Sequence, residues 1–322
     1  MIGKAERGVN GTDEVIFRGS PQGDWLKSPT VTARMLTLGA WRHAEGFDAI
    51  TAYSRDGKDG PDKLVVLDTP GADTLKLKPL ETVLVTPDYQ VTAYGFGNVE
   101  AARVHLNTAE DKVTLEDSPG DDTFLGNPSS IQISSANPAY SNKAAGFPSV
   151  MAYSTGDGAD EAFFSDFTGP TDTTVQDDTF TAGGIIGELT GPGYRLWARY
   201  FDKVHAEARH GRDTATLLGS PEVDELHGTA AEVSLSGVNA KGTFANYAKY
   251  FDEVHARAGA GQDKAVVLDA LVEPDYQPPD GVDLSTLSEC LWLEGFEKVE
   301  RHSAGGGTTE IDNIDPVFAW WE

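Results

Sequence analysis

A repeat of about 50 residues runs through the chain and constrains its fold more than any other feature. Isoleucine or valine stands three residues after a recurring phenylalanine, and alanine stands two residues further on in the first five copies. Such aligned columns predict one supersecondary unit stacked many times in a single repeat domain, 1–322, with residues 1–46 as a partial unit. The units begin near Phe47, Phe96, Phe147, Phe201, Phe251 and Phe296.

A second block in each unit begins with aspartate and predicts a β-strand. Apolar side chains follow at the second and fourth positions, as at Leu64 and Val66, and this period of two indicates a strand with one buried face. The blocks begin at Asp13, Asp62, Asp111, Asp160, Asp213 and Asp263. A further residue closes each strand six positions on, and these are Gly19, Asp68, Asp117, Asp166, Gly219 and Asp269.

A third strand-like stretch follows a turn rich in glycine, aspartate and proline, so the chain reads as all-β. In these turns we expect Trp25, Leu75 and Phe124 to lie in the core. Two segments, "LWARYFDKVHAEARHG" and "FANYAKYFDEVHARAGAG", resemble helices in isolation, but their counterparts "FDAITAYSRDG" and "FPSVMAYSTGDG" do not. The repeat therefore overrides the local helix propensity.

Three β segments per unit, stacked about six times, predict a β-solenoid similar to a parallel β-helix. Each unit is then expected to supply one coil, or two if the link between strands also pairs. A six-bladed β-propeller is the alternative, because about 50 residues per blade is typical of one propeller type. The aspartate-strand motif occurs at both ends of the chain, which favours a section of solenoid over a closed ring.

The charge balance restricts the partners. Acidic residues number 51 against 25 basic ones, giving a net charge of −26, which predicts repulsion of nucleic acids, anionic lipids and acidic polysaccharides. No run of 18 apolar residues exists, so no membrane span is expected, and the first residues lack an apolar signal segment. Cys290 is the only cysteine, which precludes a disulfide within the chain.

The aspartate columns are candidates for cation binding. Stacked carboxylates about 4.8 Å apart repel one another, so they need counter-charges, an outward splay or bound cations. Calcium is the expected ion, because it takes carboxylate and other oxygen ligands. The alternative is that the aspartates cap turns by bonding to the backbone. The candidate calcium ligands are Asp68, Asp73, Asp117, Asp121, Asp122 and Asp166.

Other chemistry-bearing residues give weaker signals. His205 and His255 share a repeat column and could bind a transition metal if stacked, but the other units do not repeat histidine there. The pairs Asp177/Asp178 and Asp275/Asp280 lie in the largest departures from the repeat and could act as paired carboxylates. Loops that drift between degenerate repeats explain these pairs better. No phosphate loop and no nucleophile elbow occur, which favours a non-enzyme.

The segment "GDDTFLG" resembles one element of the calcium-binding nonapeptide repeats that form a β-roll, and the unit of about 50 residues resembles repeats of large bacterial extracellular or cell-surface proteins. The resemblance implies an extracellular or cell-surface location. We therefore expect a non-enzymatic structural or adhesive module, stabilised by calcium, that self-associates as a homo-oligomer or filament through strand edges or outer apolar strands. The alternatives are a β-helix that binds or cleaves a neutral polysaccharide and a propeller with a ligand at its central opening.

Overall fold

The computed structural model describes residues 2–4, 12–21, 23–28, 32–37, 39–55, 62–105, 111–136, 139–169, 171–268, 271–274, 290–303, 306–312 and 317–320. Every regular element among them is a β-strand, which confirms the predicted all-β class. Among these residues we find no helix that could span a membrane. The chain divides into two compact units, unit 1 (Met1–Leu125 and Ser129–Ala159) and unit 2 (Gly126–Pro128 and Asp160–Glu322).

The strands that begin in unit 1 are short and mostly five to seven residues long. They are β1 (Ile2–Lys4), β2 (Glu14–Arg18), β3 (Trp25–Ser28), β4 (Thr32–Thr37), β5 (Ala40–Glu45), β6 (Ala49–Tyr53), β7 (Lys63–Leu67), β8 (Thr74–Lys78), β9 (Glu81–Val85), β10 (Gln90–Tyr94), β11 (Asn98–Ala102), β12 (Lys112–Glu116), β13 (Asp122–Asn127), β14 (Ser130–Ala136), β15 (Ala139–Ala145) and β16 (Ser149–Tyr153).

The strands of unit 2 continue the same pattern. They are β17 (Glu161–Ser165), β18 (Thr179–Gly183), β19 (Ile186–Gly191), β20 (Tyr194–Arg199), β21 (Lys203–Glu207), β22 (Thr214–Leu218), β23 (Glu225–Gly228), β24 (Glu232–Asn239), β25 (Gly242–Lys249), β26 (Glu253–Arg257), β27 (Lys264–Leu268), β28 (Leu271–Pro274), β29 (Cys290–Glu294), β30 (Lys298–His302), β31 (Thr308–Asp312) and β32 (Val317–Trp320).

Unit 1 contains two sheets, each with parallel and antiparallel pairs. Sheet A1 has the order β1-β5-β4-β3-β7-β11-β15-β14 and also contains β13. Sheet B1 has the order β2-β6-β10-β9-β8-β12-β16. The chain passes repeatedly from one sheet to the other and stacks each new layer on the last. This is a β-solenoid, as predicted, and the propeller alternative is wrong.

Unit 2 has the same architecture. Sheet A2 has the order β17-β21-β25-β24-β23-β27-β30-β31. Sheet B2 has the order β20-β19-β18-β22-β26-β29-β32-β28. That the two units belong to one repeat domain stays a prediction.

One sequence repeat supplies five strands rather than the expected three. After β6 and β7, strands β8, β9 and β10 form an antiparallel meander within sheet B1. The next repeat places β11 in sheet A1, β12 in sheet B1 and its meander in sheet A1. A repeat is therefore one and a half circuits of the two sheets, between the one and two coils expected. Repeat-equivalent residues consequently alternate between sheets, as do Ile50 in sheet B1 and Val99 in sheet A1.

Burial follows the predicted alternation along the strands. In β7 the side chains of Leu64 and Val66 are buried, and their neighbours in sequence are partly exposed. Phe124 is fully buried, but it lies in β13, so part of the segment expected to be a turn is a strand. The expectation that Trp25 lies in the core is wrong. Trp25 is 38% exposed, because Leu26 takes the inward position of β3.

A left-handed bend precedes each repeated phenylalanine. Glycine supplies it in four described repeats, whereas Tyr200 and Tyr250 adopt φ of 66° and 60° at the equivalent positions. Both tyrosines lie in the helix-like segments, which form β-strands, as the repeat predicted. Non-glycine residues seldom adopt this conformation, so the stacking imposes it. The equivalent glycines are Gly46, Gly95, Gly146 and Gly295.

Candidate metal centre

The aspartates that begin the repeated strands bind the backbone of the neighbouring layer. The carboxylate of Asp111 accepts a hydrogen bond of 3.0 Å from the backbone N–H of Asp73. The same bond joins Asp213 to the N–H of Asp178 at 2.8 Å. The same bond recurs twice more: Asp62 accepts from the N–H of Asp24, and Asp263 accepts from the N–H of Asp224. These strand-start aspartates thus satisfy a buried backbone donor in layer after layer.

We call the aspartates that donate this N–H turn aspartates, and three of them, Asp24, Asp73 and Asp224, also fold their own turns. Asp73 accepts from the backbone N–H and the hydroxyl of Thr69, four residues earlier, at 2.6 and 2.9 Å. Asp122 makes the same two bonds with Ser118, at 3.0 and 2.7 Å. Tyr140 also donates its hydroxyl to Asp122. Burial raises the pKa of both Asp73 and Asp122, and their hydrogen bonds oppose the rise.

The remaining predicted ligands cap loops. Asp68 accepts from the backbone N–H of Val104 at 2.6 Å, and Asp117 accepts from the N–H and hydroxyl of Thr155 at 2.7 and 2.8 Å. Asp121 accepts from the N–H of Ala159 at 2.8 Å. Each of these carboxylates thus bonds to backbone, as the alternative to calcium binding requires, but to a loop 36 to 38 residues further along the chain. Asp269, Asp275 and Asp280 lie outside the described residues.

Three acidic side chains of unit 2 come together, and we call Asp166, Asp178 and Asp213 the acidic cluster. Each offers a carboxylate oxygen, and the three oxygens lie within 4.8 Å of one another. Asp166 follows β17, while parallel pairing of β18 with β22 places Asp178 beside Asp213. The Asp178 and Asp213 side chains are 2% and 1% exposed. Asp166 was among the predicted ligands, but the sequence did not indicate which residues join it.

The acidic cluster carries more negative charge than its surroundings favour. Burial raises the pKa of Asp178 to about 6 and that of Asp213 to about 7, and repulsion among the three carboxylates adds to the rise. Burial also raises the pKa of Asp166, whose Oδ1 is buried and accepts no hydrogen bond among the described residues. The three carboxylates offer only oxygen atoms as ligands and could hold a metal ion. Such an ion would offset their mutual repulsion.

Hydrogen bonds fix the orientation of the acidic cluster. Tyr194, itself buried, donates its hydroxyl to Oδ1 of Asp178 at 2.8 Å, and burial together with this bond raises the tyrosine pKa. The backbone N–H of Arg209 donates to Oδ2 of Asp166 at 2.8 Å. Asp177, the other half of the sequence pair, instead accepts from the N–H of Arg212. The pair Asp177/Asp178 therefore does not act as two facing carboxylates.

The histidine column is not assembled into a metal site. His205 lies on β21 in sheet A2, whereas His255 lies on β26 in sheet B2, because repeat-equivalent positions alternate between sheets. His205 is instead stacked between Phe163 and Tyr247, with ring centroids 4.5 and 4.2 Å away. Burial lowers the pKa of His205.

The fold and the acidic cluster define a β-solenoid repeat protein with clustered buried carboxylates. Comparison with known proteins adds no relative: no family model, no curated protein and no solved structure matches the chain.

Proposed function

We propose that this chain is a non-enzymatic structural or adhesive module of an extracellular or cell-surface protein. The observation that carries the proposal is the repeated bond from a turn aspartate N–H to a strand-start carboxylate, found in four described layers. A polar side chain that satisfies the backbone in layer after layer serves the scaffold rather than a local reaction. The acidic turns and the resemblance to bacterial surface repeats support the location.

We further propose that the acidic cluster binds calcium and thereby stabilises unit 2. Repulsion among three clustered carboxylates, two of them buried, destabilises the fold. A divalent cation removes that repulsion, and calcium binds carboxylate oxygens in flexible geometry. Calcium at 100 times its dissociation constant should add about 2.7 kcal/mol to the free energy of unfolding. A chelator should reverse the gain.

The test is a melting curve recorded with calcium and then with chelator, for the wild type and two variants. Asp166→Asn removes a cluster charge and should abolish the calcium-dependent rise. Asp177→Asn is the matched control, because Asp177 is exposed and outside the cluster, and it should keep the rise. If millimolar calcium leaves the wild-type melting temperature unchanged, the calcium proposal is refuted.

Self-association through strand edges completes the proposed function. Within the described residues, β2 pairs with β6 alone and β31 pairs with β30 alone. Ile16 of β2 is 50% exposed, and an open edge with an apolar side chain is a template for another chain. The sequence also suggests self-association through outer apolar strands such as β27. Its Val266 is buried within the chain, whereas its Leu268 is exposed.

Light scattering across a range of protein concentrations tests the assembly. The wild type should form oligomers, and Ile16→Lys should shift the distribution toward monomer. Val85→Lys is the matched control, because Val85 is 43% exposed but β9 pairs on both sides, with β8 and β10. A wild type that stays monomeric at the highest concentration contradicts self-association.

A further inference from the structure

The outer face of sheet A1 departs from the charge of the rest of the molecule. Its ionisable side chains in the described strands, histidine apart, are four basic and two acidic, in a chain with 51 acidic and 25 basic residues. We call this the cationic face; its charged residues are Lys27, Arg34, Lys63, Lys143, Glu45 and Glu100. Charges more than about 8 Å away are largely screened at physiological salt, so the local excess governs contact with a ligand.

Strand pairing gathers these residues from distant parts of the sequence. Lys27 aligns with Val65, Val65 aligns with Glu100, and Glu100 aligns with Lys143. Glu100 forms an ion pair of 2.8 Å with Lys63. Lys143, on the neighbouring strand, is exposed. The cationic face therefore presents unneutralised positive charge along a line that crosses four strands.

A polar groove lies on this face. It has a volume of about 180 Å3 and is lined by Lys63, Asn98, Val99, Glu100, Ser141 and Lys143. These side chains supply both hydrogen-bond donors and acceptors. The volume is below the 300–1,000 Å3 of pockets that enclose a small molecule. The groove thus suits a polymeric ligand that lies across the face with only part of its surface buried in the groove.

Two exposed tryptophans continue the groove. Trp41 and Trp25 are 48% and 38% exposed, with ring centroids 5.7 Å apart and planes tilted by 56°. Trp25 is aligned with Lys63, so the line from Trp41 to Ser141 crosses six adjacent strands. At about 4.8 Å per strand, it extends for about 24 Å. An extended surface of aromatic rings, donors and acceptors fits a polymer with apolar faces and many hydroxyl groups.

We propose that the cationic face binds an anionic polysaccharide, a chain of carboxylated sugars. The tryptophans would pack against the apolar faces of sugar rings, and the lysines would bind carboxylates. This ligand class differs from the neutral sugars that the net charge of −26 favours, because the structure concentrates cations on one face. The inference is independent of the calcium proposal, since the acidic cluster lies in unit 2.

Sheet A2 offers a contrast within the same molecule. Its outer aromatic residues Phe163, His205 and Tyr247 stack on one another with planes within 8°, so neighbouring rings cover their faces. Lysines on that face pair with glutamates, as Lys203 does with Glu161 and Lys264 with Glu300. An aromatic ladder of this kind has neither free ring faces nor surplus charge to offer a sugar chain.

The test is affinity electrophoresis and titration calorimetry with polygalacturonate, without added calcium. Fully methyl-esterified polygalacturonate, which has the same sugar backbone without charge, and poly-L-glutamate, which has carboxylates without sugars, are the comparison polymers. The variants are Trp41→Ala and Lys143→Gln on the cationic face. The controls are Tyr250→Ala and Lys249→Gln in unit 2, where Tyr250 is also 48% exposed. Melting curves confirm that each variant is folded.

We expect polygalacturonate to bind, added salt to weaken binding, and each cationic-face variant to raise the Kd about tenfold or more. The unit 2 variants should bind like the wild type. Equal binding of the methyl ester would overturn the anionic ligand class, and equal binding of poly-L-glutamate would overturn sugar recognition. No binding of polygalacturonate, or full binding by Trp41→Ala and Lys143→Gln, would overturn the site itself.

Discussion

Replacing Asp213 with asparagine removes one charge from the acidic cluster and leaves its hydrogen bonds in place. The asparagine Oδ1 can still accept from the N–H of Asp178, and the N–H of residue 213 still donates to Asp252. The substitution therefore isolates the cost of a buried negative charge. Asp177→Asn is the matched control, because it also keeps its bond to the N–H of Arg212 and lies in an exposed position.

The magnitude follows from the pKa of Asp213, which burial raises from its ordinary 3.8 to about 7. A carboxyl group with a raised pKa in the folded state stabilises the fold when protonated, and this contribution is lost as pH rises through the folded pKa. Between pH 4.5 and pH 7, at 1.36 kcal/mol per pH unit, the wild type should lose about 3 kcal/mol through this residue. Asp178, with a pKa of about 6, adds a loss of the same sign.

Urea unfolding followed by circular dichroism, with chelator present, measures the effect at pH 4.5, 6 and 8. Hydrogen exchange of the amides in β18 and β22 assigns it to unit 2. Relative to the wild type, Asp213→Asn should gain about 3 kcal/mol of stability at pH 8 compared with pH 4.5. The reasoning is refuted if the difference between the two proteins is the same at all three pH values, or if Asp177→Asn shows the same gain.

Four further substitutions test the packing and the bends. Leu26→Ala removes a fully buried side chain and should lower the free energy of unfolding by about 2–5 kcal/mol in urea titrations; a loss below 1 kcal/mol would contradict its core position. Gly95→Ala, at φ 83°, should lower the free energy of unfolding by about 1–2 kcal/mol. Gly39→Ala, at φ 72°, has no atom near the new Cβ, so comparison of the two variants separates backbone strain from the effect of side-chain contacts. Gly219→Asp restores the repeated aspartate but brings its Cβ into a clash with Oδ2 of Asp224, so its melting temperature should fall; an unchanged value would show that the turn adapts.

Local patterns made much of the fold predictable. The period of two in segments such as "DKLVVLD" marks a strand in any context, and the repeat corrected the misleading helix propensity around Tyr200 and Tyr250. The meander was not predictable in the same way. Its middle strand is the third strand that the sequence predicts, but its two outer strands lie within segments that read as a turn and a link, and only their pairing partners define them. Trp25 was misplaced because a shift of one residue along a strand exchanges the inner and outer faces.

The candidate site was predictable only in part, for a related reason. Single aspartates stand out in the repeat, but the acidic cluster depends on pairing between strands whose members are tens of residues apart. The cationic face was hidden for the same reason, since a net charge sums over the molecule and discards position. Composition therefore predicts only the charge averaged over the whole surface. The strand register determines which charged side chains lie together on each face.

The half-integral repeat has a consequence for how such a chain can change its length. Because one repeat covers one and a half circuits, loss or duplication of a single copy would transfer every later strand to the opposite sheet. Side chains that had packed against their counterparts in the adjacent layer would then face strands with a different sequence. Viable length changes should therefore come as pairs of copies, about 100 residues together. Two fully buried asparagines mark this double period, Asn142 and Asn246, 104 positions apart on β15 and β25 and each bonded to a backbone carbonyl.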